Sequence, residues 1–156
     1  VSPRRRTVHA SVALAAPAEH VWSFITGFVG INDELRPLLR MTIPPRLRAT
    51  AAIDVEPPVA LGPSLLLLFG VLPVDVDDIR LVAFDPPRRF LERSRLRSAR
   101  HWEHERVIED TAGGCRLTDR VTFEPRWSAT GPILRTAVAR LFRHRHARLA
   151  ARFGAA

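Results

Sequence analysis

Chemistry in this chain would have to come from a few polar residues set among apolar ones between positions 92 and 119: Glu92, Ser94, His104, Arg106 and Asp119. A histidine takes up and releases a proton near neutral pH, an arginine polarises a carbonyl or holds an anion, and carboxylates orient both. His104 beside Ser94 would form either a patch that orients a ligand carbonyl or a weak acid and base pair, which makes His104 and Arg106 the catalytic candidates if a reaction occurs. The plainer reading is a core histidine with satisfied nitrogens. Arg106 between Glu92 and Asp119 could likewise hold a ligand anion, but two flanking acids neutralise it, which favours a structural ion pair.

Whether these residues meet depends on strand register. The segment RHWEHERVIEDTAGGCRLTDRVTFEPR, Arg100 to Arg126, reads as a hairpin turning near Thr111, Ala112, Gly113 and Gly114. Placing Glu109 opposite Arg116 sets Glu105 against Arg120, Val107 against Thr118 and His101 against Glu124 on a solvated face. The other face then pairs Ile108 with Leu117, Arg106 with Asp119, His104 with Val121 and Trp102 with Phe123. A slip of one residue would exchange the faces, so their agreement supports the register. Extending it with Leu96 opposite Trp102 puts Glu92 opposite Arg106 and Ser94 opposite His104. Glu92, Arg106 and Asp119 then form one inward row across three strands, while Arg95 meets Glu103, Arg93 meets Glu105 and Leu91 meets Val107 outside.

The elements that must position this row read as follows. Thr7 to Leu14 alternates as a strand. Pro17 suits a first helical turn, and Val21, Trp22, Phe24, Ile25 and Phe28 give a short helix an apolar face. A second short helix covers Ile31 to Leu39. Six prolines between Pro44 and Pro73 break the next stretch, leaving short strands at Arg46 to Val55 and Ser64 to Phe69. Ile79 to Phe84 and Phe90 to Arg97 are clearer strands flanking an Asp85–Arg88 turn. The last element is a helix from Pro132 to Phe153 with Leu134, Val138, Leu141, Phe142, Leu149 and Phe153 on one stripe, within which Arg145 also falls.

The chain has 156 residues, 46% of them hydrophobic, enough for one domain with a real core. We expect a basic tail at residues 1–6 and a single domain over 7–154. A formal charge of +8 raises nucleic acid as a partner, yet all 24 basic residues are Arg and the chain lacks Lys, Tyr and Gln, a coding bias that halves the weight of the charge. Nucleic acid is therefore not the expected partner. The start, VSPRRRTVHASVALAAPAEHV, imitates an Arg-rich export signal, but His9 and Ser11 interrupt its apolar run. With a lone Cys115 excluding an internal disulfide, the expected compartment is the cytoplasm. No metal or cofactor is expected. His144 and His146 lie about 200° apart on a helix, and His101 and His104 point to opposite faces of a strand, so neither pair can chelate.

One strand, two short helices, a run of antiparallel strands and a long final helix is the order of the helix-grip fold. At this point the sequence resembles the START-like or SRPBCC superfamily, which includes pollen-allergen-type lipid binders, polyketide cyclases and aromatases, and coenzyme Q-binding proteins. The likeness is carried by Ala16-Pro17-Ala18-Glu19-His20-Val21-Trp22, Phe69-Gly70-Val71-Leu72-Pro73, Trp102-Glu103-His104-Glu105, Leu117-Thr118-Asp119 with Phe123-Glu124-Pro125, and Phe142-Arg143-His144-Arg145 with Leu149 and Phe153.

The resemblance implies an α+β helix-grip fold, a curved antiparallel sheet of six or seven strands around the final helix. It implies a cavity between them for a lipid, quinone or polyketide-like molecule. The ligand-binding set expected on that basis is Glu92, Ser94, Trp102, His104, Arg106, Asp119, Phe123, Val138, Phe142 and Arg145. The alternatives are a cyclase or dehydratase, weakened by the absence of tyrosine hydroxyls, and a module docking on acidic lipid, a partner or nucleic acid through its Arg-rich C-terminal helix.

Overall fold

Alternation and helical periodicity are realised as seven strands and three helices in the computed structural model, which describes residues 4–48, 53 and 55–156. In chain order these are β1 (Arg6–Leu14), α1 (Ala18–Ile25), α2 (Phe28–Leu35), β2 (Leu39–Met41), β3 (Val59–Leu68), β4 (Leu72–Asp85), β5 (Arg89–Leu96), β6 (Ala99–Thr111), β7 (Gly114–Pro125) and α3 (Gly131–Phe153). All neighbouring strands are antiparallel, in the order β1-β7-β6-β5-β4-β3-β2. The sheet curls around α3, which is the helix-grip arrangement.

Several boundaries differ from expectation, each for a local reason. The second helix begins at Phe28 and stops at Leu35, because Pro37 forces Arg36 out of helical geometry, to ψ 147. The strand expected over Arg46 to Val55 is replaced at its start by a 3-10 turn, Pro45–Leu47, which proline at its first position favours. Residues 49–52 and 54 of that expectation lie outside the described residues. β3 starts before Ser64, at Val59, and accommodates Pro63 beside an irregularity between Ala60 and Gly62. β4 runs from Leu72, well before Ile79, and β2 was not anticipated at all.

The β6–β7 hairpin has the expected register throughout, with Glu109 opposite Arg116, Arg106 opposite Asp119 and Trp102 opposite Phe123. Its turn needs Gly114: φ is 144° there, and a Cβ would come within 2.1 Å of the Leu14 carbonyl oxygen.

Between β5 and β6, by contrast, the pairing is displaced by two residues from expectation. Glu92 faces His104 rather than Arg106, and Ser94 faces Trp102 rather than His104. Phe90 takes the place opposite Arg106. The reason is the turn. The Asp75 carboxylate of β4 accepts hydrogen bonds from the Arg97 backbone N–H (2.7 Å) and from the Ser98 hydroxyl, and β6 carries an irregularity between Ala99 and His101. A slip of two preserves which face each residue occupies. Only the partners change: outside, Arg93 pairs with Glu103 at 2.7 Å, while Arg89 and Arg120 share Glu105 at 2.8 Å each.

Inside the grip, Leu149 of α3 packs with Leu14, Val21, Trp22, Ile108 and Leu117. Val138 and Phe142 pack against Val8, Val121 and Phe123. Phe28, Leu47, Leu61, Ile79 and Leu81 form a third cluster under α2. The end of α3 is tied to the end of β1 by the Ala15 N–H donating to the Gly154 carbonyl at 3.0 Å.

The two short helices meet at Gly30, where a Cβ would lie 1.8 Å from the Phe24 carbonyl oxygen. Gly30→Ala is therefore expected to push α2 off α1 and to lower the unfolding free energy by about 3 kcal/mol, read from the midpoint of a urea titration. A loss below about 0.5 kcal/mol would show that the helices do not need this contact.

Candidate functional site: a cavity beside a buried ion network

Between the sheet, α2 and α3 lies a cavity of about 140 Å³, comparable to an apolar cavity that holds benzene. Its wall is mostly apolar: Ile25 and Phe28 from the helices, Leu61 from β3, Ile79 and Leu81 from β4, Phe90 from β5. Its polar lining groups are Thr26, Asp77, Glu92, His104 and Arg145. Of the residues expected to bind a ligand, Glu92, Trp102, His104, Phe142 and Arg145 line the cavity. Ser94, Arg106, Asp119, Phe123 and Val138 do not. Ser94 acts on it indirectly, donating to Glu92 Oε1 at 2.6 Å, while Phe123 and Val138 pack behind Phe142.

Arg106 and Asp119 belong to a closed network below the cavity floor, both fully buried. Asp119 Oδ1 accepts from His104 Nε2 and Arg106 Nε, each at 2.7 Å. Asp119 Oδ2 accepts from Arg106 Nη2 at 2.9 Å and from His146 Nε2 of α3 at 2.6 Å. The other side of the Arg106 guanidinium donates to both oxygens of Glu34, at 3.0 Å each, and Arg145 Nε donates to Glu34 Oε2 at 2.9 Å. Two carboxylates thus face two guanidinium groups, and β6, β7, α2 and α3 are fastened at one point.

The electrostatics follow from that geometry. Burial, the largest single influence, would raise the Glu34 and Asp119 pKa values, but Arg106 with Arg145 at Glu34, and Arg106 with His104 and His146 at Asp119, together outweigh it. Glu34 is held below, and Asp119 well below, the ordinary carboxylate range. Burial opposes the Arg106 charge, yet Asp119 and Glu34 prevail and raise its pKa. Because Asp119 can only accept, both imidazoles must carry a proton on Nε2. His104 then turns Nδ1 toward Glu92 Oε2, 4.0 Å away.

Three residues here were missed in the sequence. Glu34, rather than Glu92, is the second carboxylate on Arg106. It lies three residues after Ile31, at the margin of the apolar face of its helix. His146 sits four residues after Phe142 and three before Leu149, squarely on the helix stripe, so its position was readable. Asp77 shares the inward phase of Ile79 and Leu81 but precedes the stretch, from Ile79, in which the alternation is legible.

The arginines of α3 are partly consumed within the protein. Arg145 holds Glu34, Arg148 holds Asp33 at 2.8 Å, and the Arg152 guanidinium lies 4.0 Å from the centre of the Phe24 ring. Arg135, Arg140 and Arg143 are exposed. Among the described residues no three His, Cys, Asp or Glu side chains gather as metal ligands would, and no helix is long and apolar enough to cross a membrane.

Arg106→Met should cost about 3–5 kcal/mol of unfolding free energy, because it strands two buried carboxylates; a loss under 1 kcal/mol in urea unfolding would contradict the network. The depressed Glu34 and Asp119 pKa values also set the acid behaviour of the protein. Their stabilisation is complete above the unfolded values of about 4 and is lost as pH falls through the folded ones. Unfolding midpoints measured from pH 6 downward should therefore fall steeply below about pH 4, and this fall should be shallower in Arg106→Met.

Residues 12–153 match the family described as a domain of unknown function, DUF8410. No curated protein matches the chain. Among solved structures, protein CV1439 from Chromobacterium violaceum is similar over 99% of this chain and 100% of its own, with a TM-score of 0.69 and 15% identity. A START superfamily protein from Mycobacterium smegmatis is similar over 94% of this chain and 96% of its own, with a TM-score of 0.68 and 15% identity. The Zhui aromatase/cyclase from Streptomyces sp. R1128 is similar over 95% of this chain and 93% of its own, with a TM-score of 0.69 and 17% identity. At these identities the likeness is one of fold, a START-like helix-grip. Since the family match spans nearly the whole length, this chain belongs to the DUF8410 family.

Proposed function

We infer that this protein binds a compact, largely apolar small molecule in the cavity between the sheet and α3. One observation carries the reading: an apolar space inside the grip whose wall is interrupted by a few polar side chains, a composition typical of ligand pockets. The fold shared with a START superfamily protein supports it. The lone buried Cys115 agrees with a reducing cytoplasm as the compartment. Leu66 lines the cavity from β3 and is only partly buried, so Leu66→Trp can fill the space without breaking the fold. Affinity for a neutral apolar dye such as Nile red, followed by fluorescence, should drop about tenfold or more, with the melting temperature nearly unchanged. Unchanged dye affinity in this variant would sink the reading.

A second reading is a cyclase or dehydratase, favoured by His104, which lines the cavity and is backed by Asp119 through Nε2. The fold likeness to an aromatase/cyclase agrees with it. Arg106 has no part in this reading, since its guanidinium is buried and bonded to Glu34 and Asp119. Conversion of a polyketide-like chain by the wild type, followed by mass spectrometry, should fall about 100-fold or more in His104→Gln if His104 moves the proton, with binding retained. Equal conversion by both would leave binding as the whole function.

A further inference from the structure

In the network beneath the cavity each carboxylate faces a guanidinium, but a second pair of carboxyls in the cavity wall has no such partner. Asp77 of β4 and Glu92 of β5 both line the cavity. Asp77 is 96% buried by its 4% exposure, and its Oδ1 is sealed from solvent with no hydrogen-bond partner. Glu92 receives the Ser94 hydroxyl at 2.6 Å, and its nearest basic neighbour, His104 Nδ1, stands 4.0 Å from Oε2, beyond hydrogen-bond reach. The titratable groups around Asp77 are Glu92 and Asp75, both acidic. Arg145, the guanidinium in the lining, is bonded to Glu34.

Two carboxyls placed together in a low-dielectric wall hold one proton between them, so the pair carries one negative charge. Burial, then the neighbouring Glu92, pushes the Asp77 carboxyl well above its ordinary range, which makes it the group that keeps the proton. An uncompensated carboxylate charge in the wall of an apolar space defines what would fit there. An alcohol or a water can donate to a carboxylate oxygen but leaves the charge unbalanced. A carboxylate adds a further negative charge. A protonated amine supplies several N–H donors and the missing positive charge at once. The aromatic lining works in the same direction, because Phe84, Phe90 and Trp102 present rings whose faces attract cations.

We propose that the Asp77–Glu92 carboxyl pair is the seat for a cationic nitrogen, so that the cavity selects small apolar amines. This rests on the reading of the cavity as a ligand site and adds the chemical class of the ligand. The Ser94 hydroxyl fixes Glu92 in position, and the surrounding apolar wall takes the hydrocarbon part.

The test uses three six-carbon probes of equal length, hexylamine, 1-hexanol and hexanoate, titrated at pH 7 into the 15N-labelled protein and followed by backbone amide shifts. Hexylamine should bind about tenfold or more tightly than 1-hexanol, and hexanoate most weakly. Glu92→Gln should collapse the preference for the amine, whereas Asp77→Asn, which replaces a carboxyl that is already neutral, should leave most of it in place. Binding of 1-hexanol, which relies on the apolar wall, should persist in both and confirms that the variants remain folded. Equal or tighter binding of 1-hexanol to the wild type, or an amine preference that survives Glu92→Gln, overturns the proposal and leaves the cavity as a ligand site. Tightest binding of hexanoate overturns it in favour of selection by Arg145. If none of the three probes shifts any resonance, the ligand-site reading falls along with it.

Discussion

Four hydrogen bonds converge on the carboxylate of Asp119, and the geometry of the interior depends on them. A buried charge is tolerable only when its partners are complete, because desolvation costs several kcal/mol per ion and is repaid only by close, well-directed contacts. Here completeness requires β6 to supply His104 and Arg106, α3 to supply His146, and α2 to supply Glu34 on the far side of Arg106. None of these elements can move alone without orphaning a charge. The network therefore acts less as a source of net stability than as a lock on where two helices sit against the sheet.

That lock has a consequence for the cavity next to it. By saturating Arg106 and Asp119, the structure removes from the ligand's reach two of the groups that would otherwise seem the most reactive. His104 belongs to both regions, with one nitrogen on Asp119 and its ring forming part of the cavity wall. Its ring is also held edge-on by Phe90 and Phe142, at centroid distances of 5.1 and 5.0 Å. A polar group so tightly oriented offers a fixed direction to whatever lies beside it. The contrast with Asp77, whose one oxygen has nothing to bond, sets the closed part of the interior apart from the open part.

The basic composition is absorbed in a similar way. On the outer face Arg93 takes Glu103 and Arg89 and Arg120 take Glu105, while Arg88 takes Asp110 at 2.6 Å. Exposed pairs of this kind add little stability each. Their effect is to occupy arginines that a count of basic residues would assign to a nucleic-acid partner, and the formal +8 is what remains once every acid has been set against an arginine.

Much of this was legible in the residues alone. The two faces of the β6–β7 hairpin, the stripe on α3 and the order of elements all follow from alternation of period two and helical spacing, which are properties of local sequence. The row Arg106 to Asp119 followed with them, because a short glycine turn fixes its own register. What the sequence could not decide is what reaches across from elsewhere in the chain. A carboxylate on β4 anchors the β5–β6 turn and displaces Glu92 by two residues, and Glu34, 72 positions before Arg106, serves as the second carboxylate on that arginine. Local periodicity determines which side of an element faces inward. Only the tertiary structure decides which inward groups meet, because a buried charge takes the partner that folding brings within hydrogen-bond distance, whatever its separation along the chain.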